Sequence, residues 1–395
     1  MHGNTTRLAI VVSHPIQYYA PLHQRLSARS GYAIKVFFTW HAGEAAIRDR
    51  GFGRSVAWDI PLTEGYDFEL VPNVAADPGT HHFFGLRNPA LVEQVRAWHP
   101  DVVHVTGWAW HSHLTALRAF SRMGVPTLFR GDSHLLDGEP MWPRRWLKRT
   151  VLGQVFKWPA AFLAVGAVNR AYYERFGVAA DRLIPCPHSI DVRRFAEPAD
   201  EFERRATEWR RELAIGKGRI VLLFAGKLER KKRPIELMKA VQSIGDSRLV
   251  LIMVGSGELE REVRAMACSD AECFRVLPFQ NQSRMPVVYR LGDLFVLPSS
   301  HGETWGLAVN EALACGRPVL VSDRVGCARD VVNPSCGAVF AAHSPDSLSR
   351  SLSELTKDAE KLRNMGRAAA QRARAFDIGI TETSLVKAVE RVRLQ

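Results

Sequence analysis

The chain has no long hydrophobic run. Its most apolar stretches, such as Ile220 to Ala225 and Leu249 to Val254, are strand-length, whereas a bilayer span needs roughly 18–20 residues. Nor is there a Cys-x-x-Cys pair. The six cysteines (Cys186, Cys268, Cys273, Cys315, Cys327 and Cys336) are scattered. That argues against a zinc site or redox dithiol and fits free thiols in a reducing cytoplasm. The polar start, Met1 to Arg7, precedes an apolar run broken at Ser13-His14-Pro15, which is not the form of a secretory signal. No repeat with a period of about 20–50 residues is visible, which argues against solenoids and propellers.

What is present is size, core-forming residues and positive charge. A chain of 395 residues with 46% hydrophobic content suggests two domains, each with its own core. The formal net charge of +12 suits an anionic partner. Nucleic acid, an anionic membrane surface and phosphorylated substrates all qualify, and charge alone does not choose among them.

Arg7 to Ser13, Ala33 to Thr39, Asp101 to Val105, Pro126 to Phe129 and Ala161 to Val165 read as buried strands with helical patterns between them. The stretch up to about Asn88 is irregular and rich in Gly, Pro and His. The pattern breaks around Pro185 to Pro198, and the charged segment Glu201 to Arg211 follows; this is the expected hinge. A second series comprises Ile220 to Ala225, Leu249 to Val254, Phe274 to Leu277, Leu294 to Pro298, Pro318 to Ser322 and Ala338 to Phe340, before a helical tail from Ser347. Strands alternating with helices imply parallel, doubly wound α/β sheets, which bind ligands beyond the carboxyl ends of their strands.

The most informative segment is Gly292 to Val332. After the strand Leu294 to Pro298 comes a polar loop, then a short helix read as Trp305 to Cys315 and closed by Gly316. Glu303 lies in the loop, and Glu311 lies about one and a half turns into the helix. The first N–H groups of a helix lack intrahelical partners and attract anions. A diphosphate near Trp305, Gly306 and Leu307 would leave both glutamates to accept hydrogen bonds from hydroxyls on either side, the layout of a nucleotide sugar. Taken singly, each glutamate also reads as an ordinary solvated residue.

The whole string, HGETWGLAVNEALACGRPVLVSDRVGCARDVV, closely resembles the signature of retaining family-four glycosyltransferases. That resemblance implies that Glu303 binds sugar hydroxyls, that Glu311 binds the nucleotide ribose, and that the backbone of Trp305, Gly306 and Leu307 holds the donor phosphate. A second element follows the strand Ile220 to Ala225, in Gly226-Lys227-Leu228-Glu229-Arg230-Lys231-Lys232. Cations just past a strand end can stabilise a leaving diphosphate, and the family pattern assigns that work to Lys227 and Lys232. Lys227 stands where Arg is commoner, which keeps the charge and loses bidentate geometry. By the same resemblance Gly255 lies near the nucleotide and Phe279 flanks the base, although Gln280 replaces a usual glycine. The Gly255-Ser256-Gly257 pair is not a nicotinamide fingerprint, because a third glycine is missing and the strand is not the domain's first.

In the N-terminal half the resemblance is looser. Ser13 to Tyr19 fills the first strand-to-helix loop, where relatives have a glycine pair. His14 and Gln17 are candidate acceptor contacts, or else only local hydrogen-bonding residues. After the strand Pro126 to Phe129, either Asp132 or His134 stands where relatives place a histidine near the donor sugar. His104 reads as a satisfied interior histidine. Met141 to Pro159 interleaves Trp142, Trp146, Phe156 and Trp158 with Arg144, Arg145, Lys148 and Arg149. Such a stretch suits an anionic membrane surface and a lipid-linked acceptor, or a buried helix with a basic solvent face.

The resemblance thus implies a GT-B fold of two Rossmann-like, doubly wound domains facing a cleft. The expected divisions are an acceptor-side domain over 1–198, a donor domain over 199–375 and a helix over 376–395 crossing back to the first. The implied activity is that of a retaining, hexosyl-type glycosyltransferase moving a sugar from a nucleoside diphosphate sugar to a glycan or lipid-linked acceptor hydroxyl, as in polysaccharide and cell-envelope biosynthesis. No cofactor is expected. With no Asp-x-Asp motif, no metal is implied either. Nucleic acid is not the expected partner, and the expected location is cytoplasmic, peripheral to the inner face of the membrane. The rivals are a nucleotide-sugar 2-epimerase on the same fold and a basic membrane- or nucleic-acid-binding protein.

Overall fold

A computed structural model describes residues 5–41, 47–49, 54–138, 142–344 and 346–394. The chain divides into two compact units. The first comprises Met1–Ala45, Pro61–His188 and Ile378–Gln395; the second comprises Ala46–Ile60 and Ser189–Asp377. The chain therefore changes unit at 188/189, ahead of the division expected at 198/199. The expected hinge and charged segment are largely helical, as Val192–Ala196 and Ala199–Glu212. Both helices pack within the second unit: Arg290 Nη1 donates to Phe195 O (2.8 Å), and Arg210 Nη2 pairs with Asp293 (2.9 Å).

Among the described residues fifteen strands run along the chain. They are β1 (Thr6–Val12), β2 (Tyr32–Phe38), β3 (Ile47–Asp49), β4 (Arg54–Val56), β5 (Asp67–Leu70), β6 (Val102–Thr106), β7 (Thr127–Arg130), β8 (Ala161–Ala164) and β9 (Leu183–Pro185), then β10 (Ile220–Ala225), β11 (Leu249–Val254), β12 (Phe274–Leu277), β13 (Leu294–Leu297), β14 (Val319–Ser322) and β15 (Gly337–Phe340). The first unit holds a parallel sheet of order β5-β2-β1-β6-β7-β8-β9. The second holds a parallel sheet of order β12-β11-β10-β13-β14-β15, and β3 and β4 form an antiparallel hairpin. Both large sheets are Rossmann-like, the α/β class anticipated from the sequence.

Burial on both faces explains why the strands read as continuous apolar runs. Every residue of β10, β11, β13 and β14 is buried. In the first unit the helix Ile378–Arg393 covers one face of the sheet: Leu385, Val386, Val389 and Val392 join Leu8, Ile10, Leu128 and Leu163 in one core. Glu382 on this helix, mostly buried, accepts from Arg25 (2.7 Å) and Arg29 (3.3 Å), and Thr381 Oγ1 donates to Pro187 O (2.7 Å). The six cysteines are free thiols. Among the described residues, no helix is long and apolar enough to cross a membrane.

Candidate active site

In the second sheet the chain leaves β10 toward β11 and β12 on one side and returns to β13 on the other. That reversal falls between β10 and β13, and the space beyond their carboxyl ends is the usual ligand position in such sheets. Three loops meet there. The loop after β10 tightens into a 3-10 turn at Arg230–Lys232. The loop after β13 is tied to it, because Ser300 N donates to Lys231 O (2.8 Å).

This tie brings Lys232 to Glu303. The Lys232 ammonium donates to Glu303 Oε2, which also accepts from Ser299 Oγ at 3.1 Å. Both charged side chains are largely shielded, at 17% and 13% exposure, and a shielded pair is screened less by salt than a surface one. The Glu303 backbone is pinned by a bridge to Val325 and by Gly326 N donating to its carbonyl (2.9 Å). Lys227, on the same loop as Lys232, is half-buried.

The helix begins at Leu307 rather than at Trp305, with Gly306 as its N-cap at φ 93°. A left-handed cap favours glycine. No acidic side chain occupies the helix's first turn, and Glu303, which lies near Gly306, is paired with Lys232; the terminus keeps the positive end of a helix dipole. Trp305 is a core residue: its ring is 2% exposed and its indole N–H donates to Asn310 Oδ1 at 3.0 Å. Only its backbone remains to serve the expected phosphate role.

Glu311, further along this helix, accepts a 2.6 Å hydrogen bond from the Tyr289 hydroxyl. Burial raises its carboxyl above the ordinary glutamate value, against the opposing pull of Tyr289 and Arg194. Arg194 stacks on Phe195 at 4.5 Å and bonds Gln282. Tyr289, Arg194 and Ser299 are neighbours that the sequence reading did not single out; no motif marks them.

Gly255 has a packing reason for being glycine. Its φ is +147°, and a Cβ there would lie 1.9 Å from Gly226 O. Gly226 N donates to Val254 O (3.0 Å) and Leu228 N to Ser256 O (2.9 Å), so the loops after β10 and β11 stay paired past the strand ends. Phe279, half-buried, follows β12 and meets Trp58 edge-on at 6.3 Å. The Gln280 amide folds back onto Pro278 O (3.1 Å).

The first unit gathers a different cluster. Asp132 accepts from His188 Nε2 at 3.0 Å. The rings of Tyr18 and Tyr19 lie 5.8 and 6.4 Å from His188, and the buried Arg130 lies 5.8 Å from the Tyr19 ring. Burial works against ionisation of Asp132, but His188 and Arg130 outweigh it and hold the carboxyl at about 2. His134 is engaged in its own loop, its Nδ1 accepting from Leu136 N at 3.2 Å and its Nε2 standing 3.8 Å from Asp137. His14, pushed down to about 4 by burial, bonds Ser13 Oγ (2.9 Å) and packs against Trp40. Gln17 is half-buried on the same loop. His104 is interior, but neither ring nitrogen has a hydrogen-bond partner among the described residues; the expectation of a satisfied histidine fails there.

The basic–aromatic stretch is split by the fold. Phe156 belongs to the core with Phe129 and Phe162, and Trp158 packs against that core. Trp146, Leu147 and Val151 on the helix Trp142–Val155 are exposed at 63%, 58% and 42%. Lys148 Nζ sits 5.1 Å from the Tyr172 ring. Met141 and the side chains of Trp142, Arg144 and Arg145 lie outside the described residues.

Comparison with known proteins bears on this geometry. The profile of "Glycosyl transferases group 1" matches residues 205–372, and that of "Glycosyl transferase 4-like domain" matches 28–187. A D-inositol 3-phosphate glycosyltransferase from Pseudarthrobacter chlorophenolicus is 30% identical over 359 residues, covering 84% of this chain and 82% of its own. The Salinispora tropica protein of the same name is 27% identical, covering 90% and 80%. Among solved structures, a glycosyltransferase from Rickettsia africae matches with TM-score 0.74 at 13% identity, covering 98% and 99%. Anabaena HepE in complex with UDP and glucose matches with TM-score 0.71 at 14% identity, covering 98% and 100%. These matches favour neither the epimerase nor the binding-protein alternative. With the paired glutamate helix and lysine loop already in place at the strand ends, the chain belongs to the group 1 glycosyl transferases and is a glycosyltransferase of the GT-B fold.

Proposed function

We propose that the second unit binds a nucleoside diphosphate sugar beyond β10, β11 and β13, and that the enzyme transfers the hexosyl group to an acceptor hydroxyl with retention of configuration and without a metal. The observation that carries this reading is the Lys232–Glu303 pair beside the N-terminus of the helix Leu307–Ala314. Lys232 and Lys227, with the helix N–H groups, neutralise the departing diphosphate; such charge stabilisation acts where negative charge grows in the transition state. Glu303 accepts from sugar hydroxyls and Glu311 from the ribose. Gly255 and Phe279 line the nucleotide side.

Asp132, rather than His134, is the polar group assigned to the reacting sugar, because His134 is occupied by its own loop. His14 and Gln17 are assigned to the acceptor. The acceptor is a glycan or lipid-linked hydroxyl; the inositol phosphate relatives make a phosphorylated polyol worth including. Trp146, Leu147 and Val151, with Lys148 and Arg149 beside them, form a surface for an anionic membrane. Vesicles of anionic and of zwitterionic lipid test this surface: equal retention on both, or retention unchanged in Trp146→Ala, contradicts it.

A thermal-shift panel of UDP, GDP, ADP, dTDP and their sugar conjugates, with EDTA throughout, tests the core of the proposal. UDP-glucose comes first, given the Anabaena complex. A ligand at a hundredfold excess over Kd stabilises the native state by about 2.7 kcal/mol. One nucleotide should raise the midpoint of the wild type, and Glu311→Ala and Lys232→Ala should abolish the rise. Absence of any shift in folded protein refutes the donor site. NMR of the product's anomeric signal then tests retention.

A further inference from the structure

The loop between β5 and the helix Leu91–Ala97 carries a cluster that glycosyl transfer leaves unused. One ligand atom from each of Asp77, His81 and His82 lies within 4.8 Å of the other two. The loop is held in a fixed shape. Asn73 donates to Gly85 O (2.8 Å) and accepts from Ala75 N (3.0 Å) and Arg87 N (2.9 Å). Gly79 N donates to Gly85 O (3.0 Å), and the Trp110 indole donates to Thr80 O (3.1 Å). Gly79 also makes room for the first imidazole, since a Cβ there would stand 2.7 Å from His81 Nδ1.

Asp77 Oδ2 is 2.9 Å from His81 Nε2 and 3.4 Å from His82 Nε2, whose present hydrogen-bond partner is the Asp77 carbonyl at 2.9 Å. The two imidazole planes meet at 69° with centroids 4.6 Å apart, so the rings do not stack and both Nε2 atoms face one carboxylate oxygen. Around a tetrahedral ion with bonds of about 2.0–2.1 Å, neighbouring ligand atoms stand roughly 3.3–3.4 Å apart. The two carboxylate–imidazole separations need at most a few tenths of an ångström of adjustment, and the two imidazole nitrogens lie within 4.8 Å of each other. Two imidazole nitrogens and one carboxylate suit zinc and the late first-row divalent ions, whereas calcium and magnesium take oxygen donors.

We propose that Asp77, His81 and His82 form a binding site for a late first-row divalent cation, with zinc as the reference ion and a fourth position filled by water. All three residues belong to the first unit, and none of them is among the residues assigned to the transfer chemistry. Bound metal cross-links the loop next to the exposed rings of Phe83 and Phe84 and holds them in place.

The test uses tag-free, full-length protein titrated with Co2+ alone, whose visible absorption reports tetrahedral coordination, followed by Zn2+ competition. One equivalent of Co2+ should bind and be displaced by one equivalent of Zn2+. His81→Ala and His82→Ala should each weaken Co2+ binding by at least about tenfold, with metal-free thermal midpoints unchanged. Asp77→Asn, which preserves size, serves as a second variant should an alanine variant unfold. Absence of Co2+ uptake overturns the site, as does uptake undiminished in the histidine variants, which would place the ion elsewhere, for example on the exposed Cys268. Nucleotide-induced midpoint shifts should be the same in His81→Ala as in the wild type.

Discussion

The Tyr289 hydroxyl donates a 2.6 Å hydrogen bond to Glu311 Oε2. A tyrosine from one helix thereby fixes one carboxylate oxygen on the next.

Tyr289→Phe should weaken nucleotide binding and change the response to pH. Glu311 is raised by burial, so the native state loses stability as pH rises from the ordinary glutamate value, about 4.3, to Glu311's own higher value. Removing the donor that favours the ionised form extends that loss to higher pH. Thermal midpoints across pH for wild type, Tyr289→Phe and Glu311→Gln check this; the Gln variant should lack the dependence. If Tyr289→Phe and wild type trace one curve, the hydrogen bond does not govern Glu311.

Lys232→Ala should lower turnover by about a hundredfold or more, the scale of losing one donor to developing negative charge. Glu303 keeps Ser299, so the midpoint should change little, and Lys232→Arg should recover part of the rate. Initial rates under saturating donor decide the matter: wild-type turnover in Lys232→Ala removes the lysine from the diphosphate site.

Asp132 is held at about 2, below its ordinary 3.8. Its ionised form therefore adds stability above that ordinary value, and the contribution is lost as pH falls from about 4 toward 2. Asp132→Asn should flatten the acid limb of the midpoint–pH curve and reduce turnover, while His134→Ala should leave more activity. The reverse order of activities would transfer the sugar-side role to His134.

Leu385→Ala should destabilise the first unit by about 2–5 kcal/mol, the usual cost of truncating a core leucine. Its side chain is 1% exposed within the core of β1, β7 and β8. Urea unfolding measures the loss, and nucleotide affinity per folded molecule should stay constant. A change below ~1 kcal/mol would mean the last helix is not part of that core.

β10, β11 and β13 were legible because each is apolar along its whole length, as burial on both faces demands. β5 and β9 escaped notice for the opposite reason: Asp67–Leu70 is a largely exposed edge strand, and Leu183–Pro185 is three residues closed by proline. The glutamates and lysines were visible as a local string, whereas Tyr289, Arg194 and His188 reach their partners from remote positions with ordinary neighbours. Trp305 shows another limit. The sequence places it in the signature, but only the fold turns its indole inward to Asn310.

The two units are interlaced along the chain, with Ala46–Ile60 assigned to the second and Ile378–Gln395 to the first. This imposes an order on biosynthesis. While the ribosome still holds the last helix, the first sheet has one face without Leu385, Val386, Val389 and Val392, yet the long segment Ser189–Asp377 is already complete. The half begun first is thus completed only after the other, and its nascent apolar face stays uncovered until Ile378–Arg393 is made.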